Sequence, residues 1–341
     1  MTGFYVDDMR QGNNSMIQEQ SSILDQFSPH FHRINEELSK VFDTHVPLIE
    51  EVGSYSLLGG GKRLRPLFFV LSCELCDYRD SDRYLLATIF ECIHAASLLH
   101  DDVIDNASIR RGKTAANKVW SDPVAVLVGD FLFSKSSRIA AEKTHAEFLR
   151  VLAETATMMS EGQILEYINT HNWNMTRKQY VEIIASKTAA LMSAACSCGA
   201  IVAGASQADI QSLRDFGRNM GIAFQIVDDI FDYTSTVERT GKSMGKDLRE
   251  GKITLPLIYT LDYVLREERE RLEVLFKNGN ASEEDYTRIA ELVRNNGAIG
   301  RCRSDAKEYA DLAEQCLSPF PNSSKKESLL KLNQFIVNRN H

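Results

Sequence analysis

A chain of 341 residues, 43% hydrophobic and 25% charged, has an ordinary globular composition and ample length to bury a large core. Its formal charge of −8 argues against a nucleic-acid binder, which would carry a basic footprint, yet permits an anionic ligand held by a local basic pocket or a metal ion. Seven cysteines, odd in number and irregular in spacing, argue against a disulfide framework and for a reducing compartment such as the cytoplasm.

The N-terminal stretch MTGFYVDDMRQGNNSMIQEQ has no basic segment leading into an apolar one. Residues 1–22 are therefore expected to form a flexible extension, not a targeting signal. From residue 23 to 341 the chain reads as one all-α domain, with apolar residues recurring at three- and four-residue spacing. The first punctuation is GGGKRLRP at 59–66, where glycines free backbone N–H groups and Lys62, Arg63 and Arg65 follow as natural partners of phosphate. Cys73-Glu-Leu-Cys76 has half of a zinc spacing, but no second pair follows, and both read as small buried residues.

A helix over Tyr84–His100 runs into LLHDDVID, which presents Asp101, Asp102 and Asp105. Asp101 and Asp105 share a helix face, where like charges cost roughly a few tenths of a kcal/mol. Arg110 and Arg111 follow closely, and further helices are expected at Phe148–Ile168 and Tyr180–Val202. Lys187 and Thr188 head a small-residue stretch, Ala189–Ala205, whose shortness and Ala/Ser/Cys/Gly content favour a packed core helix over a membrane span. QIVDDIFD at 225–232 then repeats the acidic pattern with Asp228, Asp229 and Asp232 behind Gln225. A Gly/Lys-rich loop from 234 to 254 carries Gly241, Lys242, Gly245, Gly251 and Lys252 and reads as a closing lid, with Pro256 marking the next helix start. TGKS at 240–243 is not a Walker A tail, because Thr236 stands where the glycine is required.

A solvated acidic helix face would have polar neighbours, whereas Leu98, Leu99, Ile226, Val227 and Phe231 flank the two triads. Hard oxygen donors without a nearby His or Cys cluster point to Mg²⁺, which takes one or two carboxylates and completes its shell with phosphate and water. The triads thus read as sites for a magnesium–diphosphate complex.

GGGKRLRP, LLHDDVIDNASIRRGKTAAN, VGDFLFS, EGQILEY, SKTAAL, FQIVDDIFDYT and GKSMGKDLREGKITLPL, in this order, resemble the trans-isoprenyl diphosphate synthases, or polyprenyl synthetases, over nearly the whole chain after residue 23. The resemblance implies the isoprenoid synthase fold, a single domain of antiparallel helices around a central elongated cavity, usually as a homodimer. It implies head-to-tail addition of isopentenyl diphosphate to an allylic diphosphate such as farnesyl diphosphate, with three Mg²⁺ ions. Asp101, Asp102, Asp105, Asp228 and Asp232 would hold metal, with Asp229 acting behind them or through water. Arg110, Lys187, Lys242 and Lys252 would contact the allylic diphosphate. Gly61, Lys62, Arg65, His94 and Arg111 would take isopentenyl diphosphate. The Thr188 hydroxyl, the Lys187 carbonyl and Gln225 would face the carbocation, and the departing diphosphate would accept the proton. His94 lies two helical turns before Asp101 on the same face.

Positions four and five before Asp101 are Ser97 and Ala96, about 5.4 Å back along the axis. In this family an aromatic near there limits elongation, so small residues imply a long, octaprenyl-like product for a quinone side chain, delivered to a membrane. Phe131, Phe133, Met158, Met159 and Leu165 are the candidate floor of the tunnel. A shorter-chain synthase, or the catalytic half of a heteromer, is the alternative. A terpene cyclase would need neither GGGKRLRP nor a second triad.

Overall fold

All seven prolines fall in the first turn of a helix or between helices, so none interrupts a helix interior. The result, in a computed structural model, is a helical chain described over residues 23–234, 245–277 and 281–339. The expected extension 1–22 and Lys242 lie outside the described residues.

Helix α1 (Ser28–Val41) and α2 (Pro47–Gly53, continued by a π turn over Ser54–Leu58) precede α3 (Leu64–Leu75) and α4 (Arg83–Ile104). Next comes a feature unforeseen in the sequence, a two-residue antiparallel hairpin of β1 (Ile109–Arg110) and β2 (Lys113–Thr114). Helices α5 (Ala116–Val119), α6 (Asp122–Lys143) and α7 (Ala146–Ile168) follow. Then α8 (Arg177–Ile184) passes through a π turn (Ala185–Ala189) into α9 (Ala190–Val202). A short connection leads back along α10 (Gln207–Thr234). The expected 234–254 loop instead contains a one-turn helix, α11 (Lys246–Arg249). The chain closes with α12 (Leu255–Leu261), α13 (Arg266–Lys277), α14 (Glu283–Asn295), α15 (Ala298–Cys316) and α16 (Ser324–Asn338).

Two hydrophobic clusters meet along α10. Its first half packs on α9 and joins the cluster that also holds residues of α3, α4 and α6, and its second half packs with α12, α14 and α15. Helix α9 is apolar all round and accordingly central. Residues 177–202 are long and apolar enough to cross a membrane, but 83% of that apolar window is buried inside the protein, so this is a core helix. Five of the seven cysteines are buried, Cys73 among them as expected, whereas Cys76 is half-buried; all seven are free.

Close approach of α9 and α10 depends on Gly221, where a Cβ would sit 2.7 Å from Ala189 Cα. The Cβ is fixed to α10 and the Ala189 Cα is backbone of the π turn leading into α9, so the two would have to part. Gly221→Ala is therefore expected to lower the urea midpoint by the equivalent of about 1–3 kcal/mol. An unchanged midpoint would mean that the two helices separate freely.

Candidate active site

Both acidic motifs end up at helix C-termini, α4 carrying Asp101 and Asp102 in its last turn and α10 carrying Asp228, Asp229 and Asp232 in its last two. Carboxylates are disfavoured there by the negative end of the helix dipole. Cations and hydrogen-bond donors from distant segments offset this. Asp102, only 3% exposed, receives Arg110 of the hairpin at 2.7 Å from Nε to Oδ1. Asp105 receives Lys252 Nζ at 2.8 Å. Lys187 Nζ lies 3.8 Å from Asp101 and 2.5 Å from Glu166. Lys252 also reaches Glu166 at 3.9 Å, so two lysines far apart in sequence share one carboxylate.

On the α10 side, Asp228 is paired with Arg339 at 2.7 Å. Asp229 accepts from the Tyr180 hydroxyl and from Gln225 Nε2, each at 2.7 Å. Asp232 accepts the backbone N–H groups of Lys246 and Asp247, each at 3.0 Å, and so caps α11 instead of facing the cavity. Gln225 is oriented from both sides, since its Oε1 also accepts from Thr188 at 2.9 Å.

A cavity of about 690 Å³ brings most of the expected residues together. Asp101, Asp228, Lys187, Thr188, Gln225, Arg65, His94, Arg110 and Arg111 all line it. Ala96 and Ser97 line it one turn back along α4 from Asp101. Of the proposed tunnel floor, only Phe133 and Met159 reach this cavity. Phe131 and Leu165 pack against the two cores, and Met158 is 42% exposed on the outer surface. A recess of about 160 Å³ shares Lys187, Thr188 and Gln225 with it and adds Glu166, Asp247 and Lys252.

Local geometry explains these positions. The π turn at 185–189 widens the helix where Lys187 and Thr188 sit. Gly162, in EGQILEY, lets α7 lie against that turn, since a Cβ there would be 2.6 Å from the Lys187 nitrogen. In GGGKRLRP the three cations take different paths. Arg63 turns inward to buried Glu91 at 2.6 Å and does not join the site. The Lys62 ammonium sits 5.8 Å from the centre of the Phe335 ring. Arg65 lines the cavity with a buried Nε that has no hydrogen-bond partner among the described residues. Gly61 is exposed beside the Arg111 guanidinium, which donates to the Gly60 carbonyl.

Burial dominates the electrostatics. It raises the Asp101 carboxyl, with Lys187 opposing, and it raises Asp232 against its two backbone donors. Asp229 is pushed up to about 7 by burial despite Tyr180 and Gln225. Asp247 is driven well above the carboxylate range by burial and then by Asp232 and Asp229. Burial also works against the Lys252 charge, but Glu166, Glu250 and Asp105 outweigh it and hold the ammonium firmly protonated. His94 is held well below its usual value by burial and four neighbouring arginines, so its imidazole is neutral.

Mg²⁺ takes one or two carboxylates when phosphate and water supply the rest, and Asp101 and Asp228 line the same cavity. The donor set is all oxygen, and the unpartnered Arg65 Nε supplies a phosphate donor alongside. Glu166, Tyr180, Asp247 and Arg339 belong to this network but were not singled out as site residues in the sequence. Glu166 and Asp247 lie within EGQILEY and GKSMGKDLREGK, so a carboxylate search of those motifs would find them. Tyr180 and Arg339 carry no local signal.

A family model described as Polyprenyl synthetase matches residues 46–293. The octaprenyl diphosphate synthase of Escherichia coli (strain K12) is 34% identical over 306 residues, spanning 90% of this chain and 94% of that protein. The solved structure of polyprenyl synthase from Caulobacter crescentus CB15, complexed with calcium and isoprenyl diphosphate, matches with a TM-score of 0.90 and 36% identity, covering 94% of this chain and 98% of its own. A decaprenyl diphosphate synthase from Rhodobacter capsulatus matches with a TM-score of 0.87 and 32% identity, covering 94% and 99%.

Asp229 gives the site a pH signature. Its ordinary value is 3.8 and its folded value is about 7, so the native state binds the extra proton between them. Stability therefore falls as pH rises through that window. Unfolded histidines titrate around pH 6.5, inside the same window, so the carboxylate effect is read as the difference between wild type and Asp229→Asn. Metal-free protein is expected to lose this contribution as pH rises from about 4 to about 7, by at most about 1.4 kcal/mol per pH unit for one group. Asp229→Asn should flatten that slope in urea denaturation with EDTA. A slope that persists unchanged would assign it to another group.

Proposed function

The chain belongs to the polyprenyl synthetase family, and on that premise we propose that it makes long all-trans polyprenyl diphosphates, octaprenyl-like in length. It adds isopentenyl diphosphate head-to-tail (1′-4) to an allylic diphosphate such as farnesyl diphosphate. What supports the reading is one cavity that combines Asp101 and Asp228 with Lys187, Arg65 and Arg110, and continues past Ala96 and Ser97. A long tail needs such a channel lined by small residues.

Asp101, Asp102, Asp105 and Asp228 would hold Mg²⁺, three ions with the diphosphate, and the metal would supply positive charge that stabilises the leaving group. Asp232 keeps α11 in place and would join the metal ligands only on leaving that cap. Lys187, Arg110 and Lys252, with Lys242 as a fourth, bind and orient the allylic diphosphate in a preorganised site. Lys62, Arg65, Arg111 and neutral His94 take isopentenyl diphosphate, with Gly61 offering backbone. The allylic C–O bond breaks, and the electron-deficient carbon faces the Thr188 hydroxyl, the Lys187 carbonyl and Gln225. As the new C–C bond forms, the proton lost from the isopentenyl unit goes to the departing diphosphate.

Helices α6 and α7 expose Leu127, Ile164, Tyr167 and Ile168, each more than 60% accessible. An apolar face of this kind suits a second copy of the chain, and Ile164 and Phe133 line the cavity on the same side. We assign a cytoplasmic homodimer that passes its product to a membrane for quinone assembly, with the domain spanning 23–341.

Purified protein incubated with Mg²⁺, isopentenyl diphosphate and farnesyl diphosphate should yield long-chain products on sizing after dephosphorylation. A cyclic hydrocarbon would overturn the synthase reading, and no product from the chain alone would point to an obligate different partner. Asp101→Ala should reduce turnover by orders of magnitude, and Ala96→Phe should shorten the product while leaving activity. Unchanged length in Ala96→Phe would route the channel elsewhere. Leu127→Asp with Ile168→Asp should convert a dimer to a monomer in sedimentation experiments; a wild-type monomer would refute the assembly.

A further inference from the structure

Arg339 follows the last turn of α16 and folds back onto α10. Its side chain is 4% exposed, far more hidden than a terminal arginine on a surface helix. Its Nη2 donates to Asp228 Oδ1 at 2.7 Å and to the Phe224 carbonyl at 2.9 Å. The guanidinium carbon lies 4.1 Å from the centre of the Phe224 ring and 5.4 Å from that of Phe231. Positions 224, 228 and 231 form one stripe of α10, so a single helix face holds the group by stacking and by charge. Phe335, one turn earlier on α16, lies under Lys62. Burial, then Arg339, lowers the Lys62 pKa, and Asp228 opposes them. Asp228 is thus the anion around which two cations are arranged, and one of its oxygens is already taken.

We propose that Arg339 is a resident counter-ion of Asp228, holding that carboxylate in place in the empty enzyme and leaving it when metal and diphosphate arrive. A metal bound at Asp228 and a guanidinium on Oδ1 compete for the same lone pairs, so the wild type binds metal more weakly than its carboxylates alone allow. The inference rests on Asp228 being a metal ligand, as read above. Arg339 is a positioning residue here, since it acts through Asp228.

The test is titration of Mn²⁺ with inorganic diphosphate, followed by the Mn²⁺ electron paramagnetic resonance signal, alongside melting in EDTA. Arg339→Gln should bind the complex about tenfold more tightly, as expected if roughly one tenth of wild-type molecules present a free Asp228. It should also melt lower than wild type in EDTA and gain more on adding Mn²⁺ and diphosphate. Arg339→Lys, which keeps the charge but not the stacked plane, should gain less affinity and serves if the glutamine variant does not fold. A merely structural role would lower both melting points equally and leave affinity unchanged, and unchanged or weaker binding in a folded variant overturns the proposal. Asp228→Asn separates the premise. If it binds the complex as well as wild type, Asp228 is no metal ligand. If it loses binding while Arg339→Gln gains none, only the counter-ion role fails.

Discussion

Carboxylates at the negative ends of two helices are the constraint from which the rest of this site follows. The α4 and α10 aspartates repel one another and the helix carbonyls alike. Asp102 is answered by Arg110, Asp105 by Lys252, Asp101 at longer range by Lys187, and Asp228 by Arg339. These partners come from a hairpin, from the segment after α11, from a π turn and from the last described residue. The chain folds, in effect, around two acidic points, and each distant segment is tied down by delivering a cation. Asp229 is the exception, since it is answered by neutral donors, Tyr180 and Gln225, and burial pushes it up to about 7 despite them.

The same arrangement links stability to catalysis. Metal arriving at carboxylates already balanced by side-chain cations would meet acceptor oxygens that are in place. Glu166 makes the exchange cheaper for the lysines. Lys187 and Lys252 share it, so neither loses all its partners when a diphosphate arrives. Neutral His94 among arginines adds a polar group without adding to their mutual repulsion.

What the sequence made legible was whatever is local and periodic. The helices followed from apolar spacing and from prolines confined to first turns, and the acidic motifs stood out because their neighbours were apolar. His94 and Asp101, seven residues apart, share a face because a single helix carries them. The failures are long-range. Arg63 sits in the same basic run as Lys62 and Arg65, yet a left-handed backbone at Arg63 turns it toward Glu91, 28 residues away. Asp232 was read with its triad, but the backbone of α11 claims it. Large apolar character alone does not locate the tunnel floor, since Met158 and Leu165 lie on other faces of the same helix as Met159. Arg339 could not be found at all, because only tertiary folding brings the end of α16 onto α10.

The π turn between α8 and α9 carries a further meaning. One residue more than an α-helix accommodates is taken up at 185–189, which offsets the faces before and after it by about 100°. The segment from Arg177 to Val202 therefore has two azimuthal registers. Tyr180 keeps its phase toward Asp229, while Leu191 and its successors keep theirs toward the central core, and neither dictates the other. A regular helix would force one phase on both, so shortening this segment by a single residue would restore perfect periodicity and swing the ammonium and hydroxyl at its centre out of alignment.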